Sequence, residues 1–243
     1  MNDQIFETVV TTVAPDGTPH VAPMGVRYRG EHVILMPFRP STTFDNISAT
    51  GHAVLNLLTD TRVFAACVAA RWLGRREWPM VAAERISGVR LAAALGHVEL
   101  KLHAQSDDAQ RPVLTMARVH EAQHAPYIGF NRAQAAVIEG AVLVSRLHML
   151  SAEKIDAELA YLRIAIDKTA GPEEREAWGW LLQAIERHRK GAAPAPEGSE
   201  ASADDTGDAG STGGTGSADS AGSMGGAGGA GGAGGAGGAG GGA

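Results

Sequence analysis

Phe38-Arg39-Pro40-Ser41-Thr42-Thr43-Phe44-Asp45-Asn46-Ile47-Ser48-Ala49-Thr50-Gly51 is the stretch whose reading sets the fold. Ser41 or Thr42 can cap a short helix, because a hydroxyl oxygen accepts from the unpaired amides of a first turn. Gly51 can close it, since glycine takes the left-handed backbone that ends a helix. A helix entered through an arginine and three consecutive hydroxyls is also how an anion site is built. The first amides point outward, the helix dipole favours negative charge there, and Arg39 adds a fixed cation two residues before Ser41. On local sequence alone, a capped helix with an exposed arginine also accounts for the pattern.

Strands surround this helix. Phe6–Val13 is β-branched and ends in the turn signal Ala14-Pro15-Asp16-Gly17. Residues 20–28 follow, then the turn Arg29-Gly30-Glu31, then the apolar run 32–38, which together predict a β-meander. Pro23 falls inside the second strand. It lacks an amide proton, so it predicts an edge or a Pro-Met-Gly bulge whose backbone groups could contact a ligand. Downstream, residues 52–59 predict a fourth strand with Asn56 in an apolar setting. Residues 64–72 fit helix or strand, 95–103 alternate as a strand, and 112–120 fit either.

The last third reads as helical. Ala133, Val137, Ala141, Val144 and Leu147 recur at helical spacing within 131–150. Ser151 caps a helix running to about Lys168, with Ile155, Leu159, Leu162 and Ile166 on one face. Gly171-Pro172 stops it and starts another, whose first turn holds Glu173 and Glu174 where the helix dipole welcomes them. The expected organisation is α+β: a β-rich domain over residues 1–150, a helical hairpin over 151–190 and a tail over 191–243.

Of the chain's 243 residues, 21 are Lys or Arg and 27 are Asp or Glu. The tail holds 21 of the 32 glycines, six acidic residues and no basic one, so residues 1–190 are formally neutral with 21 charges of each sign. The tail also lacks Leu, Ile, Val and aromatics and is expected to be disordered, because it cannot offset its backbone entropy. A neutral body argues against nucleic acid as partner, since a phosphate-backbone binder needs a basic excess. Cys67 is the single cysteine, so an intrachain disulfide and a cysteine metal cage are excluded. The longest uninterrupted apolar run, residues 63–70, is far below the roughly 20 residues of a membrane helix. With no signal-like N-terminus, the expectation is a soluble cytoplasmic protein with no membrane partner.

Glu7-Thr8-Val9-Val10-Thr11-Thr12, the block from Asp16-Gly17-Thr18-Pro19-His20 through Val26, and Phe38-Arg39-Pro40-Ser41-Thr42-Thr43 resemble a family of FMN-binding split-β-barrel proteins. That family is met in methanogens and methylotrophs, often in the context of tetrahydromethanopterin metabolism. Phe130-Asn131-Arg132-Ala133 and Val137-Ile138-Glu139 fit its pattern too, and the likeness spans residues 3–190. More distantly, the chain is similar to flavin reductases and pyridoxamine-phosphate-oxidase-like barrels. The resemblance implies a homodimer with FMN near the subunit interface. It implies that Arg39, Ser41, Thr42 and Thr43 hold the FMN phosphate, and that the backbone of Pro23, Met24, Gly25 and Val26 borders the isoalloxazine. Asn56 would contact the ribityl chain or ring edge, and Asn131 and Arg132 would close the site. The implied activity is an oxidoreductase on a small conjugated, pterin-like substrate, with a non-catalytic FMN-binding or assembly module as the alternative.

His120-Glu121-Ala122-Gln123-His124 stands apart, because it matches H-E-x-x-H. On a helix this spacing puts two imidazoles on one face, with the glutamate as base for a zinc-bound water. Pro126 would end such a helix at once, and a third ligand is not evident beyond His148 or Glu139. No metal is therefore assigned, and a zinc hydrolase is held as a further alternative. His20, His32, His52, His97, His103 and His148 read as surface or partly buried residues. Arg75-Arg76 between Trp72 and Trp78 reads as a solvated loop packing two indoles.

Overall fold

The structure is a computed structural model that describes residues 4–106 and 108–191. The expectation for the tail lies, from residue 192 onward, outside the described residues. Six strands close into an antiparallel barrel: β1 (Phe6–Val13), β2 (Pro19–Arg29), β3 (His32–Leu35), β4 (His52–Leu57), β7 (Gly96–Gln105) and β8 (Leu114–Gln123). Around the barrel the order is β1-β2-β3-β8-β7-β4. β5 (Met80–Ala82) and β6 (Val89–Leu91) pair with each other as a separate two-stranded sheet. The helices are α1 (Thr42–Thr50), α2 (Arg62–Leu73), α3 (Arg132–Ser145), α4 (Ala152–Thr169) and α5 (Pro172–Arg189). Among the described residues, no helix is long and apolar enough to cross a membrane.

Strand alternation sorts the side chains into two cores. Val10, Val26, Val33, Leu35, Leu55, Val98, Leu100, Leu114 and Met116 point inward, and Phe44 and Ile47 of α1 join them. Val9, next to Val10, faces out into a second core built from α2, α3, α4 and α5. Val137, Ala141 and Val144 of α3 share that core with Trp178, Leu181 and Ile185 of α5, so no packing boundary falls at residue 150. At Gly140 the two helices approach so closely that an added Cβ would lie 3.0 Å from both Leu181 and Trp178. α4 and α5 follow the barrel as the sequence indicates. Arg189 of α5 donates to Asp156 of α4 at 2.7 Å.

The helix after β3 forms as its caps dictate. Ser41 is the N-cap and accepts from the Phe44 amide at 3.2 Å, and Gly51 ends the helix at φ 76°. Ser151 caps α4 in the same way, and Pro172 opens α5. Other expectations are resolved or corrected. Residues 64–72 lie in α2, which is covered by β2, α3 and α5, so it shows no polar face from which a period could be read. Residues 112–120 run into β8 rather than a helix. α3 stops at Ser145 and gives way to a short turn of 3-10 helix at Leu147–Met149. Pro23 sits in no bulge. β2 pairs with β1 without a break from Val13↔Pro19 to Phe6↔Val26. β3 reaches only as far as Val26, so among the described residues no strand lies on the other side of residues 19–25, and a proline is tolerated there.

Candidate functional site

The corner between β3 and α1 gathers the residues expected to hold an anion. Arg39 lies with its guanidinium carbon 4.1 Å from the centre of the Phe44 ring, across the first turn of α1. Its amide donates to the Gln110 carbonyl at 3.0 Å. Nearby, the amides of Arg111 and Gln110, with the charge of Arg39, hold the Asp108 carboxyl below its usual range. Thr42 is exposed on the first turn and Ser41 is half-buried, whereas Thr43 is buried at 1% exposure, which takes its hydroxyl off the surface. α1 packs against β2. The same strand carries Pro23, Met24 and Gly25, half-buried along the part that lacks a second strand neighbour among the described residues, and Val26, whose side chain is inside the barrel. The Met24 carbonyl accepts from the Thr8 hydroxyl at 2.8 Å.

Two asparagines expected beside a ligand are occupied within the chain. Asn56 is 0% exposed. Its amide donates to the Val9 carbonyl and the Thr11 hydroxyl, both at 3.1 Å, and its oxygen accepts from the Leu91 amide at 2.7 Å. Asn131 caps α3, accepting from the Ala133 amide at 2.7 Å and donating to the Thr169 carbonyl at 3.1 Å. Asn56 is tied on both sides within the barrel wall, and half-buried Asn131 is tied to α3 and to the end of α4. Arg132, the first residue of α3, is exposed.

Asn56 belongs to a buried polar layer on the outside of the barrel, beneath β5 and β6. The Thr11 hydroxyl donates to the Val89 carbonyl, and Glu99 accepts from the amides of Glu84 and Arg85. His97 and Glu99 face the same way on β7, while Val98 and Leu100 fill the barrel. His97 Nε2 is 3.3 Å from Glu99 Oε1, and its Nδ1 is 2.8 Å from His124 Nε2, with the two rings stacked. His97 is thus a fully buried residue, not the surface or partly buried histidine expected. Glu84, His97 and Glu99 are absent from any local motif. The one signal is the His97-x-Glu99 pair, two residues apart on a strand, which places both side chains on one face.

H-E-x-x-H falls on β8 and its end, which removes the zinc-protease geometry. On a strand, Glu121 faces away from His120, and Glu121 accepts from Arg118 at 2.9 Å instead of reaching a metal-bound water. His120 faces Glu99 across the strand pair and approaches Glu84 at 3.3 Å. The basic run packs differently as well. Arg76 lies 3.9 Å over the Trp180 ring of α5, beside a cavity of about 350 Å³ that Arg62, Arg75 and Trp78 also line. Trp72 is in the helical core.

Sequence-family matches fall on both parts of the chain. One is described as "Protein of unknown function (DUF447) N-terminal domain" and covers residues 6–125; the other, "Protein of unknown function (DUF447)", covers 131–183. Among solved structures, an FMN-bound DUF447 protein of Methanosarcina mazei aligns with a TM-score of 0.62 at 19% identity, over 75% of this chain and 96% of that one. A 2-nitrobenzoate 2-nitroreductase of Pseudomonas fluorescens aligns more loosely, with a TM-score of 0.43 at 18% identity over 51% of this chain and 66% of that one. The flavin reductase component of a bacterial two-component tryptophan halogenase gives 0.42 at 13% identity, over 51% and 82%. A search of curated proteins found no match.

Proposed function

We propose a function from one premise, that this chain belongs to the DUF447 family. It is a flavoprotein that binds FMN at the corner between β3 and α1 and serves as an oxidoreductase on a small conjugated substrate. The carrying observation is the α1 N-terminus, capped by Ser41, with Thr42 exposed and Arg39 held across Phe44, packed against β2, whose residues 19–25 pair with no second strand among the described residues. An FMN-bound member of the family with the same fold supports the reading.

The donor set fits a phosphate monoester. Hydroxyls, first-turn amides and a guanidinium are the groups that stabilise a dianion at a helix N-terminus. Arg39, Ser41 and Thr42 would hold the phosphate, with Thr43 contributing through its place in the first turn. Pro23, Met24 and Gly25 offer a half-buried strand edge for a flat ring, and Val26 anchors that edge in the barrel. When bound, FMN supplies hydride and electron transfer, which the side chains alone cannot perform. The protein's own part is to position the ring, exclude water and set the local field. Arg132, brought to the site by a second copy, would favour a reduced, negatively charged ring. Asn56 and Asn131 hold the scaffold.

The finer reading is a pterin-like substrate and a place in tetrahydromethanopterin metabolism, resting on the family resemblance. A homodimer belongs to the same reading. Ile128 and Phe130 are 93% and 99% exposed in the single chain, immediately before Asn131, and a second copy would cover them. A cytoplasmic location follows from such chemistry. The test is reconstitution with FMN, followed by NAD(P)H and reduced pterins under anaerobic conditions. Bound flavin that is reduced by one of them supports the oxidoreductase. Bound flavin inert to all of them identifies a non-catalytic module, and failure to take up FMN overturns both.

A further inference from the structure

Glu84, His97 and His120 come from three segments, the connection between β5 and β6, β7 and β8, and meet on the outer face of the barrel. Each offers one donor atom, and the three donors lie within 4.8 Å of one another. His120 Nε2 is 3.3 Å from Glu84 Oε2, yet it is shielded from solvent and makes no hydrogen bond among the described residues. A shielded imidazole nitrogen that has a carboxylate beside it but no hydrogen bond calls for an explanation.

The surroundings are those of a ligating histidine. One nitrogen of His97 lies 3.3 Å from Glu99, which in turn accepts two backbone amides. A carboxylate on one ring nitrogen fixes the tautomer and leaves a lone pair on the other.

We propose that Glu84, His97 and His120 bind a divalent transition metal of the zinc class. Two imidazoles and one carboxylate suit a borderline-soft ion, whereas calcium and magnesium take oxygen ligands. Ligands around such an ion sit about 3.4 Å apart, so the triangle must tighten by about 1 Å. Glu84 is exposed on a connecting segment and can make that move. His97 gives up its contact with His124, the exposed residue just beyond β8, and keeps the one with buried Glu99. The ion would tie the β5–β6 connection to β7 and β8. The site is independent of the flavin reading, and it uses His120 without requiring the H-E-x-x-H helix.

The test uses the full chain, stripped with chelator and titrated with Zn²⁺ against a chromophoric competitor and with Co²⁺ by visible absorption. One equivalent should bind, with the d–d bands of nitrogen and oxygen ligation and a higher thermal midpoint. Glu84→Gln and His120→Ala should each weaken binding by at least about tenfold while keeping the far-ultraviolet circular dichroism. His148→Ala, at an exposed histidine elsewhere, should leave binding unchanged. Absence of stoichiometric binding overturns the proposal. So does binding that Glu84→Gln and His120→Ala leave intact, or that His148→Ala weakens equally.

Discussion

Replacing Asn56 by alanine separates a scaffold role from a ligand role, because the two predict opposite results. Asn56 is fully buried and ties β4 to β1 through the Val9 carbonyl and Thr11 hydroxyl, and to β6 through the Leu91 amide. Alanine leaves the Leu91 amide without its partner at a position 1% exposed, and the Val9 carbonyl without its side-chain donor at one 0% exposed. Each orphaned buried group costs about 1–3 kcal/mol, so the expected loss is about 2–6 kcal/mol. For a domain of this size that lowers the thermal midpoint by about 2–4 °C per kcal/mol. Asn56→Asp keeps the acceptor for Leu91 but removes the donor and faces a carboxylate toward the Val9 carbonyl, so it should be at least as damaging. Urea unfolding followed by tryptophan fluorescence gives the stability, and FMN titration of the folded fraction gives the affinity. The expected pair is a large stability loss with FMN affinity within about threefold of the parent, under 0.7 kcal/mol. Unchanged stability with a tenfold loss of FMN affinity would refute the assignment.

Gly140→Val should destabilise the α3–α5 contact by about 1–3 kcal/mol, because even a Cβ meets Leu181 and Trp178 at 3.0 Å; urea unfolding checks it, and a neutral result would contradict that close approach. Burial pushes the Cys67 thiol up to about 12, against the lesser opposing effect of Arg75, and the thiol donates to the Val21 carbonyl at 3.6 Å. At pH 8 the native thiol should therefore react with a disulfide reagent at least about a hundredfold more slowly than the unfolded chain, and a ratio below ten would rule out that burial. Burial and then Arg75 lower the His20 pKa from 6.5, so the fold favours neutral His20. Its contribution to stability is intact above pH 6.5 and is lost as pH falls through the folded value. Nuclear magnetic resonance titration should place the midpoint below 6.5, and one above it would contradict the sign.

The parts legible in the sequence were those with local causes. Ser41 and Gly51 bound α1, Ser151 and Pro172 start α4 and α5, and each works through atoms within a few residues. The meander of β1, β2 and β3 was legible because Gly17 and Gly30 mark its turns at positive φ, where other residues are strained. What stayed hidden depends on distant neighbours. α2 is wrapped by other elements, so its pattern lacks the polar stripe that identifies a helix. Pro23 left an edge and a bulge both open, and the shortness of β3, set by its own pairing, decides for the edge. Asn56 and Asn131 look alike as candidate ligand contacts until their partners, 35 and 38 residues away, are known. The cluster of Glu84, His97 and His120 is assembled by barrel closure from segments that no short motif links.

The central claim is that the first turn of α1 grips a phosphate carried by a flavin. Paired titrations of FMN and riboflavin, which differ only in that phosphate, test it most directly in the parent and in Arg39→Ala. One lost charge-assisted contact is worth about 1.5–3 kcal/mol, or about a 10- to 150-fold loss of FMN affinity. Riboflavin binding should stay within about threefold, since that ligand has no phosphate to lose. Equal weakening of both ligands, or an FMN affinity that Arg39→Ala leaves untouched, would contradict the account.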